Sequence, residues 1–167
     1  MYRQIMFFIF CFMPAFVLAG HHESKGHGSD MHIMDAWIKE PLSGMDATAA
    51  YLLIHNHSED SDRLMGVVTD IAEVAEIHEM TLVDGVMKMR RVDAGVSIAP
   101  DERASLEPGG LHIMLFNVNR EIHAGEAYVI SLNFERSGQV DIPFIVKKGV
   151  KPKSEQHDHH HDHDHDH

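Results

Sequence analysis

The chain has 167 residues, with 26 acidic against 14 basic side chains and a formal charge of -12. That length suits one domain with a single core, and the acidic excess excludes nucleic acid and anionic lipid surfaces as partners while favouring cations. Cys11 is the only cysteine, so no intrachain disulfide is available.

In chain order, Arg3 precedes a nearly continuous apolar run from Ile5 to Leu18, and Val17-Leu18-Ala19 carries the small residues that a signal peptidase reads. Residues 1–19 are therefore expected to be an export signal. The run falls short of the roughly 20 residues that a membrane span takes. Cleavage after Ala19 would release a thiol-free protein into the periplasm with no stable membrane association. Next comes HHESKGHGSDMHIM, with four histidines and two methionines, which predicts a flexible arm over residues 20–34.

From Asp35 the pattern becomes that of a folded domain, expected over residues 35–149. Tyr51–Ile54, Val67–Val68, Ile113–Phe116, Tyr128–Phe134 and Val140–Val146 are short runs rich in β-branched and aromatic residues. Asp84-Gly85, Pro108-Gly109-Gly110, Ala124-Gly125-Glu126 and Ser137-Gly138 punctuate them as turns. A helical turn is expected only around Ile71 to Ala75, and a loop around Asp101 to Gly110. Such spacing predicts an all-β domain, an antiparallel sandwich or Greek-key barrel. After the basic hinge KKGVKPK the chain ends in HDHHHDHDHDH, with no apolar residue to build a core. Residues 150–167 are read as a disordered tail that captures Cu(II) or Zn(II) through imidazole and carboxylate.

The chemistry is carried by His78, Met89, His112 and Met114. Thioether sulfur is a soft, neutral ligand that binds Cu(I) well and zinc, calcium or magnesium poorly, so this set points to copper. If Asp84-Gly85 is a two-residue hairpin turn, Val83 pairs with Val86, Met80 with Met89 and His78 with Arg91. His78 and Met89 are then diagonal neighbours on one face. His112 and Met114, two apart in a strand, share a face as well. Met80 and Met87 fall on the hairpin face with the site, as packing or as a soft lining. Met45 and Met65 are read as core filler, Trp37 as a core or edge anchor, and His55, His57 and His123 as surface or internally satisfied residues. The site would hold its ion as a net cation and release it by ligand exchange. Binding would weaken as pH falls below the ordinary imidazole value of roughly 6.5.

These residues resemble the signature of the periplasmic copper chaperones called PCu(A)C: a histidine, ten residues, a methionine, about twenty-one residues, then His-x-Met. Ten residues separate His78 from Met89 and twenty-two separate Met89 from His112, the extra one falling in a stretch that contains the loop expected around Asp101 to Gly110. Asp62-Arg63-Leu64, His78-Glu79-Met80, Asp84 to Arg90, Pro108 to Met114 and Gly125-Glu126 are similar too, so the resemblance runs from about Ala47 to Val146. It implies a cupredoxin-like β-barrel that binds one Cu(I) near its surface and passes it on, with cytochrome c oxidase subunit II as the kind of acceptor. A sequestering or tolerance protein would use the same ligands without delivery. An electron-transfer cupredoxin is disfavoured because blue copper needs a thiolate, and no catalytic triad or carboxylate pair suggests an enzyme.

Overall fold

Alternation with period two builds this domain. In β2 (Ala47–Asn56), Thr48, Ala50, Leu52, Ile54 and Asn56 are all buried, while Ala49, Leu53 and His55 on the other side are partly open. The same pattern recurs in β8 (Leu111–Val118), where Ile113 and Leu115 are fully buried. The computed structural model describes residues 30–149, among which there are strands, turns and bends but no helix. The expected export signal and the His/Asp tail lie outside the described residues, as does residues 20–29 of the expected arm.

The remaining strands are β1 (Met31–Lys39), β3 (Asp62–Thr69), β4 (Ala72–Val83), β5 (Val86–Arg91), β6 (Val96–Ile98), β7 (Arg103–Leu106), β9 (Ala127–Phe134) and β10 (Gly138–Lys147). They form one sheet in the order β5-β4-β8-β2-β1-β10-β9-β3-β6, with β7 paired to β2. β2 changes partner along its length, pairing with β8 through Ala47–Ala50 and with β7 through Leu52–His55. Ile38, Ile54, Leu64, Ile113, Leu132 and Phe144 fill the core.

Four expectations are corrected. The ordered domain starts at Met31 rather than Asp35, because Met31 to Met34 pair with Asn56 to Leu53 of β2. Asp35, with φ 51, marks the bulge that shifts the register before Trp37. The stretch from Ile71 to Ala75 is no helical turn: Ala72 opens β4, whose Ala72 and Val74 pair with Val118 and Phe116. Within the expected loop from Asp101 to Gly110, Arg103–Leu106 form β7, with Leu106 buried. Met45 and Met65 are exposed rather than core, Met65 sitting where the β3–β9 register shifts. Among the described residues the strand pairs are antiparallel except β1–β10, where Trp37 to Lys39 run parallel to Ile145 to Lys147.

Candidate metal centre

The hairpin that carries the first two candidate ligands forms for local reasons. Asp84 and Gly85 both have positive φ, 52 and 77, as a turn matched to the strand twist requires. Val83 pairs with Val86, Leu82 with Met87, Met80 with Met89 and His78 with Arg91. On its other side β4 meets β8, where His78 lies directly opposite His112 and Glu76 opposite Met114. Directly paired residues share a face, as do residues two apart. One face of β5-β4-β8 therefore carries Glu76, His78, Met80, Met87, Met89, Arg91, His112 and Met114.

The two imidazoles are buried at 7% and 5% exposure, their ring centroids 6.0 Å apart. Met114 is half-buried, and Met89 and Met87 are exposed at the rim. Nitrogen thus lies at the floor and sulfur toward solvent.

Hydrogen bonds fix each ring. His112 Nδ1 lies 3.0 Å from the Gly110 carbonyl, which can only accept, so this nitrogen carries the proton and Nε2 keeps its lone pair. Gly110 is set by a turn in which its N–H donates to Glu107 O at 3.1 Å, with Gly109 at φ 90. His78 Nε2 is 2.8 Å from Glu76 Oε2, and Arg91 Nη1 donates to Glu76 Oε1 at 2.7 Å. The hydrogen bond with His78 leads the effects that hold the Glu76 carboxyl below its usual range; burial opposes it, and the Arg91 charge adds to it. An ionised Glu76 accepts from His78 Nε2–H, which leaves His78 Nδ1 bare. That atom is buried and has no partner among the described residues. A bare buried lone pair is costly in a folded protein unless something occupies it.

Sequence reasoning set His55 and His57 aside, and the structure gathers them with Asp101. One ligand atom from each lies within 4.8 Å of the others. The only signal was the i, i+2 spacing of the two histidines; Asp101 comes from a turn that no local pattern links to them. His123 is an exposed residue, 3.4 Å from Glu121. Trp37 stacks on Tyr51 with centroids 4.6 Å apart, an anchor between β1 and β2.

A family model for LpqE-like proteins matches residues 31–146. Among curated proteins, "Putative lipoprotein Lxx21020" of Leifsonia xyli is 27% identical over 126 residues, covering 75% of each chain. The Rickettsia prowazekii protein RP573 is 26% identical over 112 residues, 65% of this chain and 62% of its own length. Among solved structures, the copper-bound PCuAC domain of PmoF2 is 27% identical, with TM-score 0.61 over 72% of this chain and 94% of that one. The Cu(I) form of DR1885 from Deinococcus radiodurans is 23% identical, with TM-score 0.59 over 77% and 87%. The chain belongs to the LpqE-like family, which is the PCu(A)C family, and has its cupredoxin-like β fold.

Proposed function

We propose that this protein is an exported Cu(I) chaperone that carries its ion on His78, Met89, His112 and Met114 and delivers it by ligand exchange. The observation that carries the reading is the buried Nδ1 of His78, without a partner among the described residues, on the strand face shared by a second imidazole and the two thioethers. Two neutral nitrogens and two neutral sulfurs suit a soft monovalent cation and leave its charge uncompensated, so thiolates of an acceptor displace them readily. Met89, exposed on the outermost strand, is the donor an acceptor reaches first. PmoF2 in a copper-bound form and DR1885 in a Cu(I) form support copper as the cargo. A relative named as a putative lipoprotein, and a family described in the same words, support export; the compartment we propose is the periplasm. The acceptor we favour is the copper domain of cytochrome c oxidase subunit II.

The test is anaerobic Cu(I) titration of the full chain against a chromophoric chelator, beside Met89→Ala and Met114→Ala. Loss of one tight equivalent in both variants is expected, and retention of it in both overturns the ligand set. Seven histidines in the last eleven residues favour a second reading, copper sequestration. Incubating the loaded protein with an apo oxidase copper domain separates the two, since a sequestering protein keeps its ion.

A further inference from the structure

At the far end of β2 the side chains that gather are of another chemical kind. His55 and His57, two residues apart, bring their rings to a centroid separation of 3.7 Å. His32 on β1 lies directly opposite His55, and its ring centroid is 5.8 Å from that of His57. Asp101 completes the group. Among the described residues none of these three imidazoles makes a hydrogen bond or ion pair, and the Asp101 carboxylate makes none either. Arg103 is the residue opposite His55 on β7.

The frame beneath the cluster is rigid. Asn56, between the two histidines, is fully buried, and its carboxamide donates to Asp60 O and Ile98 O while accepting from Ser58 N and Oγ. Its backbone N–H donates to Glu102 O at 3.0 Å and its carbonyl accepts from Asp101 N at 2.9 Å. Asp101, at φ 56, is thereby fixed beside the histidines although 43 residues separate it from His57 in sequence.

We propose that His55, His57 and Asp101, with His32 as a fourth donor, form a second metal site that takes a divalent cation of the Cu(II) or Zn(II) type. Imidazole and carboxylate without sulfur suit these borderline ions rather than Cu(I). His55 lies six residues from Ala49, the β2 partner of Met114, and on the same side of the strand. The two sites are then about 20 Å apart along β2, too far to share an ion. Each end of the strand would serve a different cation.

Zn(II) is the probe, because it is diamagnetic and each histidine ring of the full chain can be followed by nitrogen-15 NMR apart from those of the tail. As Zn(II) is added to saturation, the His55 and His57 rings should shift together along one common binding curve, whatever the tail takes up. Asp101→Asn, which keeps a residue tolerant of positive φ, should weaken that event about tenfold or more. Rings that stay unmoved while other histidines titrate, or an Asp101→Asn variant with unchanged affinity, would overturn the site.

Discussion

His78 and His112 face each other across two strands, yet their rings are oriented through different nitrogens, His78 by a carboxylate and His112 by a carbonyl. A carboxylate that accepts from a ligating imidazole fixes its tautomer and raises its basicity, and loss of such a partner typically weakens metal binding 10–100-fold. Glu76→Ala should therefore lower Cu(I) affinity by about one to two orders of magnitude while leaving the stoichiometry unchanged. Glu76→Gln, whose amide oxygen still accepts, should fall in between. A chelator competition titration reads both, and an unchanged affinity in Glu76→Ala would mean that this carboxylate does not orient the ring. A second single-residue effect is purely structural. Gly95 has φ 71, and a Cβ there would lie 2.6 Å from Leu64 O and within 3.2 Å of the Arg63 side chain. Gly95→Ala should cost about 2–3 kcal/mol in urea unfolding, since left-handed strain and a backbone clash add.

At the scale of elements, the hairpin and its neighbours separate what is local from what is not. Asp62, at the start of β3, is buried and accepts from the backbone N–H groups of Arg63, Arg136 and Ser137, tying β3 to the β9–β10 turn. Burial pushes its carboxyl upward, but these hydrogen bonds together outweigh burial and hold it below the usual range. A lowered folded value means that the ionised form stabilises the fold. This contribution is fully present above the unfolded value of about 3.9 and is lost as pH falls through the lower folded one. Asp62→Asn should thus cost about 1–3 kcal/mol at neutral pH, a deficit that holds down to about pH 5 and shrinks in stronger acid. Urea unfolding at several pH values checks it. The register of the β4–β5 hairpin was legible in the sequence because Asp84-Gly85 determines it within a few residues. β1 was not, since Met31 to Met34 read like the His-rich stretch before them and become a strand only by pairing with β2. Nor was the group around Asp101, which depends on a turn folded back onto Asn56. Strand runs rich in branched residues announce themselves, whereas partners distant in sequence do not.

Over the whole molecule, the sheet is unevenly secured. β1 and β10 are joined in parallel at its centre, with Ile38, Phe144 and Val146 almost wholly buried. β5, at one end of the order, exposes every residue and, among the described strands, pairs only with β4. Phe144→Ala should therefore cost about 3–5 kcal/mol, whereas Ile145→Ala, next in sequence but half exposed, should cost little; equal costs would contradict the alternation of β10. The proposed site spans this gradient, with both histidines on the better-held β4 and β8 and Met89 on the outer strand. Binding of an ion to the folded state alone adds RT ln(1 + [L]/Kd), about 4 kcal/mol at a thousandfold excess over Kd. That gain need not be uniform, because only β5 is fastened by the ion to strands it would otherwise leave by fraying. Cu(I) loading should slow amide exchange in Val86–Arg91 far more than in β9 or β10, and Met89→Ala should abolish the difference while Met114→Ala weakens it. Equal protection across the sheet, or protection of β5 that survives Met89→Ala, would show that the outer strand takes no part in holding the ion.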